Sequence, residues 1–231
     1  MTIQLALLLV GAYLLGSVPT AFLVAKWRRG IDIRRFGSGN IGVSNVLAAG
    51  SRWTSLIVIA FDLLKGAIPV VVARAINMPV YQEVMAGMAA ICGHNWTIFL
   101  RFSGGRGVLT TLGVMLALSP WLGLTLLLIN FAFAPFKQFA LGTLIVLVLM
   151  PVFSWFLADP FRIQRSMDLT LGLVAVLLLL VVRRLTAPRS ELAKTVSTKE
   201  LILYRLFFDR DIRDRKLWLS RRSSDPTKAQ G

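Results

Sequence analysis

The chain has 231 residues, 56% of them hydrophobic and 16% charged, with 26 basic against 11 acidic residues and a net charge of +15. Apolar runs recur through residue 182 with short interruptions, which excludes a soluble globular core and marks an all-α integral membrane protein. The single cysteine, Cys92, excludes an intramolecular disulfide framework and a cysteine-rich metal site.

Thr2 to Ala25 can cross a hydrocarbon core of about 30 Å, and the cluster Lys26, Arg28, Arg29, Arg34, Arg35 stops it. Basic clusters beside spans mark the cytoplasmic side, so the amino terminus is expected outside. The start lacks a basic leader and reads as a retained span rather than a cleaved signal. Gly16 and Pro19 predict a bend, with Ser17 or Thr20 available to satisfy backbone groups freed there.

The next stretch, Arg34 to Asn45, is a polar loop spaced by glycines. Gly37, Gly39 and Gly42 satisfy G-x-G-x-x-G, but membrane spans flank the loop where a dinucleotide fold requires a strand and a helix. What remains is a nest of inward-turned N–H groups suited to an anion, phosphate first. Ser38, Asn40, Ser44 and Asn45 add more side-chain hydrogen-bonding groups than a bare turn requires.

Trp53 to Ile76 returns outward and carries Asp62 and Lys65 about 14 and 18 Å deep. At i and i+3 they share a helix face, either as a mutually neutralised pair joining helices or as direct substrate contacts. Val80 to Leu100 comes back inward with His94, the chain's one histidine, about 10 Å above a second basic glycine loop, Arg101 to Gly107. Gly104-Gly105-Arg106-Gly107 lacks nucleotide P-loop spacing, yet offers backbone donors and a guanidinium able to grip phosphate bidentately.

Val108 to Phe136 is too long for one span and short for two. Read as two short spans hinged at Pro120, it places Lys137 and the tail inside, where 13 of the 26 basic residues fall from Arg183 onward. Phe139 to Leu157 then runs out, Asp159 to Asp168 forms an outer loop, and Leu169 to Val182 runs in. The expected organisation is seven transmembrane helices, two of them short, in a membrane domain over residues 1–185, followed by a basic cytoplasmic tail over residues 186–231. In the tail, Ser197 and Glu200 have capping-box spacing. Leu201, Tyr204, Phe208, Ile212 and Leu219 fall on one helical face, with Asp209/Arg213 and Asp211/Arg215 as i, i+4 pairs, giving a helix for the inner leaflet or for a protein contact.

Three stretches together resemble the bacterial membrane glycerol-3-phosphate acyltransferases that use acyl phosphate as donor. They are Gly37-Ser38-Gly39-Asn40-Ile41-Gly42-Val43-Ser44-Asn45-Val46-Leu47, Phe61-Asp62-Leu63-Leu64-Lys65-Gly66, and Gly93-His94 through Phe102-Ser103-Gly104-Gly105-Arg106-Gly107-Val108. The similarity covers residues 10 to 145, and the last span by hydropathy; beyond Arg189 the tail has no counterpart. Four places depart from the family pattern: Ala48 replaces an arginine, Arg106 a lysine, Lys137-Gln138-Phe139-Ala140 an Arg-Tyr-Val-Ser stretch, and Arg183-Arg184-Leu185-Thr186 a His-Arg-Glu-Asn ending.

The resemblance implies acyl transfer to the first hydroxyl of glycerol 3-phosphate, giving 1-acylglycerol 3-phosphate (lysophosphatidic acid) for phospholipid synthesis, at a cytoplasm-facing site in the inner (plasma) membrane. Glycerol 3-phosphate, fatty acyl phosphate and membrane lipid are the implied partners, with no metal or other cofactor and no nucleic acid. Ser38, Asn40, Ser44 and Asn45 with Gly37, Gly39 and Gly42 would hold one phosphate. Arg106 with Gly104, Gly105 and Gly107 would hold the other, Lys65 and Lys137 completing the binding set. Ser38, His94 and Arg106 are the catalytic candidates, His94 as general base or as a loop-orienting group, with the leaving phosphate as the other proton acceptor. The substitutions point to a divergent acyltransferase or a redirected paralogue. The competing class is a non-catalytic phosphate-headgroup binder or transporter, for which Pro19, Pro69, Pro120 and Asp62/Lys65 are the sequence hints.

Overall fold

The computed structural model describes residues 2–49, 52–156 and 167–220. The outer loop expected at Asp159 to Asp168 lies, but for its last two residues, outside the described residues. Among the described residues all regular structure is helical.

Helix α1 (Ile3–Ser17) stops where Pro19 removes a backbone donor and crowds the carbonyl four residues back. Helix α2 (Thr20–Arg29) resumes at once and ends on Gly30, which adopts the left-handed conformation at φ 67°. The expected single span is thus a broken pair, and Lys26, Arg28 and Arg29 continue its helix instead of stopping it. The pair, taken as Ile3–Arg29, is long and apolar enough to cross a membrane, as are α4 (Arg52–Ala75) and α8 (Phe139–Phe156). The short α3 (Val43–Ala48) connects the glycine loop to α4.

Helix α5 (Val80–Asn95) ends before the expected Leu100. Past it, a 3-10 turn over Ile98–Leu100 and left-handed residues Arg101 and Phe102 reverse the chain. Helices α6 (Val108–Leu118) and α7 (Pro120–Ala132) divide as the Pro120 hinge predicts. Ser119 ends the first and caps the second, its hydroxyl accepting from the Leu122 amide. Arg74 gathers three helix ends, pairing with Glu83 at 2.6 Å and donating to the Leu118 carbonyl at 3.5 Å. At the opposite end Arg184, near the close of α9 (Met167–Leu185), donates to the Ala140 carbonyl at the start of α8, at 2.8 Å.

Lipid is as apolar as leucine, so helix association in a membrane depends on close approach rather than on burial alone. Two crossings here carry a glycine from each helix. Gly16 of α1 lies on the Ala90 backbone of α5, and Gly93 of α5 on the Tyr13 and Ser17 backbone of α1. Gly66 of α4 and Gly113 of α6 lie likewise on Thr110 and Leu63. A larger cluster including Val70, Ile91, Met115, Leu122, Met150 and Val176 fills the bundle from α4 to α9, and a smaller one, Ala21, Ala25, Ile33, Ile41, Val46 and Val58, seats the glycine loop against α2 and α4.

The tail is docked. Helix α10 (Thr198–Phe208) forms with the expected capping box of Ser197 and Glu200. It ends at left-handed Asp209 (φ 53°), so Ile212 and Leu219 do not continue its face, and α11 (Arg215–Ser220) is separate. The expected i, i+4 pairs give way to longer ones: Asp211 takes Arg205 at 2.8 Å and the Ser190 hydroxyl and amide, while Asp209 takes Arg106 at 3.0 Å. Arg184 donates to the Leu206 carbonyl and Arg205 to that of Leu185, both at 2.6 Å.

Candidate active site

Breaking α1 from α2 leaves carbonyls of Ser17 and Val18 without helical partners, inside the bundle, where an unsatisfied backbone group costs several kcal/mol (about 2–7). Side chains from two other helical segments answer them. Lys65 of α4 donates to the Val18 carbonyl at 3.1 Å, and Thr97, just past α5, donates to that of Ser17. Of the two hydroxyls expected for this task, Thr20 makes a long 3.4 Å contact with the Val18 carbonyl. The Ser17 hydroxyl is buried without a protein partner among the described residues.

Lys65 also pairs with Asp62 at 2.7 Å, both buried, and His94 Nδ1 lies 3.9 Å from the same carboxylate oxygen. Of the two alternatives for this pair, the joining of helices is what the geometry shows, since Lys65 ties α4 to the broken helix; the pair also lines a small cavity. That cavity, about 10 Å³ and so the room of one water, is lined by Ser17 to Thr20, Ile41, Asp62, Lys65, His94, Thr97, Gly104 and Gly105 among others.

The second glycine loop does not hang about 10 Å below His94 as helix continuation predicts. Reversed after Leu100, it folds up against that histidine, and the Gly105 amide donates to the His94 carbonyl at 3.0 Å. A Cβ on Gly105 would fall onto His94 Nε2 and the Ile41 carbonyl, so only glycine lets the loop approach this closely. Arg183 holds the loop from beneath. Its Nε donates to the Gly105 carbonyl at 2.8 Å and its Nη2 to that of Gly104 at 2.6 Å, with the guanidinium 5.7 Å from the Trp96 ring. Arg106, next along, pairs through Nε with Asp209 and donates Nη1 to the Arg183 carbonyl at 3.4 Å. Gly107, left-handed at φ 73°, starts α6 above the buried Asn95.

The first glycine loop is organised from within by Asn45. Its Nδ2 donates to the carbonyls of Ile33 (3.0 Å), Phe36 (2.9 Å) and Asn40 (3.2 Å), and its Oδ1 accepts from the Ser38 amide at 3.2 Å. Asn45 and that amide are thereby spent on the loop's own shape. Gly37 and Gly39 take the positive φ expected of a nest, whereas Gly42 is extended and Ser44 exposed. Within this loop Ile41 lines the cavity and Ser38 and Asn40 do not, the Ser38 hydroxyl accepting from the Asn40 amide at 3.3 Å.

Of the residues chosen from sequence, then, the fold gathers Lys65, His94, Gly104 and Gly105, with Arg106 and Gly107 adjoining. Lys137 sits exposed in the turn between α7 and α8, at φ 56°. The bend expected at Gly16 and Pro19 is the break between α1 and α2. Sequence reasoning missed Thr97, Arg183 and Asp209 as neighbours of the site; the arginine pair ending the last span reads in the sequence only as a departure from the family's His-Arg-Glu-Asn ending.

Residues 6–194 match the family model described as glycerol-3-phosphate acyltransferase. Two proteins of Dehalococcoides mccartyi, glycerol-3-phosphate acyltransferase 5 of strain 195 and glycerol-3-phosphate acyltransferase 4 of strain CBDB1, are 41% and 42% identical. The matches cover 97% and 94% of this chain and 96% and 94% of the relatives. The first leaves at most 7 of the 231 residues unmatched (231 less 224), so it runs into the tail, which does have a counterpart there. Among solved structures, the crystal structure of PlsY, an integral membrane glycerol 3-phosphate acyltransferase, in its glycerol 3-phosphate form superposes with a TM-score of 0.70 at 29% identity, over 78% of this chain and 88% of that one. Its lysophosphatidic acid form gives 0.69.

Proposed function

This chain belongs to the glycerol-3-phosphate acyltransferase family, and on that premise we propose that it moves a fatty acyl group from acyl phosphate to the sn-1 hydroxyl of glycerol 3-phosphate, releasing inorganic phosphate and leaving 1-acylglycerol 3-phosphate in the membrane. The observation that carries this reading is the polar cavity where the broken α1/α2 segment, the Asp62–Lys65 pair, His94 and the Gly104–Gly105 turn converge. Buried polar groups in a bundle are expensive and mark function by default.

In this proposal seven spans cross the inner membrane: the α1/α2 pair, α4, α5, α6, α7, α8 and α9. Both glycine loops and the tail face the cytoplasm. The acyl chain lies along the lipid-facing bundle, and its phosphate reaches the loops at the boundary.

The chemistry asks little of a nucleophilic side chain, because acyl phosphate is already activated. The glycerol hydroxyl attacks the acyl carbonyl, the new C–O bond forms, and the acyl carbon to phosphate-oxygen bond breaks. His94 or the departing phosphate takes the hydroxyl proton. What the chain supplies is alignment and fixed positive charge: Arg106 for phosphate, and Lys65 near the developing negative charge. The direct test is release of inorganic phosphate from palmitoyl phosphate by the purified chain. Release that depends on glycerol 3-phosphate and yields lysophosphatidic acid is expected; release that ignores glycerol 3-phosphate, or none, overturns the proposal.

A further inference from the structure

We propose that the tail completes the site and that Asp209 is a positioning residue for Arg106. The inference rests on Arg106 acting as a phosphate ligand, as set out above.

Arg106 presents three guanidinium nitrogens. Asp209 stands 3.0 Å from Nε, and the Arg183 carbonyl accepts from Nη1 at 3.4 Å. That leaves Nη2 as the nitrogen without a protein partner among the described residues. The approach of Nε to Asp209 Oδ1 is an ion pair without hydrogen-bond geometry, so charge on one side and one long hydrogen bond on the other restrict the guanidinium before any substrate arrives, which is how a binding group is preorganised. Arg183 secures the other side of the same arginine, since its fork fixes the carbonyls of Gly104 and Gly105 immediately before Arg106 in the chain.

The carboxylate could instead be a plug that a phosphate must displace. The anchoring of α10 argues against it. Asp209 ends a helix whose neighbours are tied to the bundle by Arg205 to the Leu185 carbonyl, Arg184 to the Leu206 carbonyl, and the buried Arg205–Asp211–Ser190 node. A segment held this way is part of the site's wall. Charge points the same way: Arg106, Arg183 and Arg184 crowd together with Asp209 as their shared acidic neighbour. Three cations against one carboxylate leave a positive excess for a phosphate dianion without Asp209 having to leave.

The test is a mutant cycle on the full-length chain in lipid nanodiscs, reading kcat and both KM values. Asp209→Gly removes the carboxylate while keeping the helix end, because glycine is at ease at positive φ. The expected result is a rise of about tenfold in the KM for one phosphate substrate, within the range of coupling between residues in contact, with the other KM and the thermal midpoint little changed. In an Arg106→Lys background, which lacks the pinned Nε, the same change should move that KM by less than about twofold, since pairs that act as one unit do not add. Equal losses in both backgrounds would assign Asp209 a merely structural role and overturn the proposal, as would an unchanged or lowered KM, the latter being the signature of a plug. Should Asp209→Gly fail to fold, Asp209→Asn, also tolerant of this conformation, must raise the KM in the same direction; a fall sinks the idea. A wild-type chain without acyl transfer would instead refute the proposed function, so the two failures are distinct.

Discussion

At position 106 the difference between arginine and lysine is geometric as well as electrostatic. Both are cationic, but only arginine can meet Asp209 through Nε and the Arg183 carbonyl through Nη1 at once. Arg106→Ala should therefore lower kcat/KM by about 2–4 kcal/mol, the scale for losing one preorganised donor, and Arg106→Lys by clearly less, because charge survives. Equal rates for alanine and wild type would remove Arg106 from the site. Lys65 makes a different kind of demand, with one buried ammonium joining the Asp62 carboxylate to the Val18 carbonyl. Lys65→Met leaves the Asp62 carboxylate buried without its counter-charge, while the Val18 carbonyl keeps the Thr20 amide at 3.0 Å, and should cost about 3–5 kcal/mol of stability. In the Asp62→Asn/Lys65→Met double variant the charge is gone, so the loss should be smaller than the sum of the single losses. Unfolding in a denaturing detergent series measures this, and strict additivity would contradict the pairing.

At the scale of elements, the bundle is held where glycines let helices touch. A Cβ on Gly66 would meet the Thr110 carbonyl, and one on Gly113 the Leu63 carbonyl, on the two sides of the α4/α6 crossing. Gly66→Ala and Gly113→Ala should each destabilise by about 1–3 kcal/mol through overpacking. Because either one forces the same two helices apart, the pair should fall short of additivity, whereas Gly66→Ala with Gly16→Ala, at separate crossings, should add. The docking of α10 has its own acid limit. Burial acts to raise the Asp211 carboxyl, yet the Ser190 hydroxyl and amide and the Arg205 guanidinium outweigh it and hold it below the ordinary 3.8. A lowered folded value means that this stabilisation is complete above the unfolded value and is lost as pH falls through the folded one. The tail should thus stay docked at pH 5 and loosen only below about pH 4, which the fluorescence of the buried Trp218 can follow; release at pH 6 would exclude Asp211 as the anchor.

For the whole molecule, the decisive property is sidedness. Three connections fix relative directions: Arg74 gathers ends of α4, α5 and α6, Arg184 joins α9 to α8, and Arg106 joins the second glycine loop to the tail. Both glycine loops, the α7/α8 turn and the tail then share one face, which the proposed topology puts in the cytoplasm. In a Cys92→Ala background, Ser44→Cys places a thiol on an exposed residue of the first loop. An impermeant thiol reagent should label it in inverted vesicles and not in intact cells. Labelling from outside would reverse the arrangement.

Hydropathy, charge asymmetry and Pro120 were enough to read an all-helical membrane chain with a division after Ser119, because these are local properties that a helix expresses wherever it packs. The three family motifs likewise brought Lys65, His94 and the Gly104–Gly107 turn onto the page. Four matters were decided only by tertiary structure. Of the carbonyls freed at Pro19, that of Val18 finds Lys65, 47 positions away in sequence, and that of Ser17 finds Thr97, 80 positions away. Asn45, apparently a phosphate ligand, turns its carboxamide inward because three loop carbonyls need a donor. The reversal at Arg101 and Phe102 lifts Gly105 onto His94. Arg183, read as a departure from a family motif, and Asp209, read as an i, i+4 partner of Arg213, both meet the second glycine loop. Each depends on which distant group completes a buried polar atom. Periodicity carries no record of that, since it reports the face a residue occupies and not the partner that its donors and acceptors will find there.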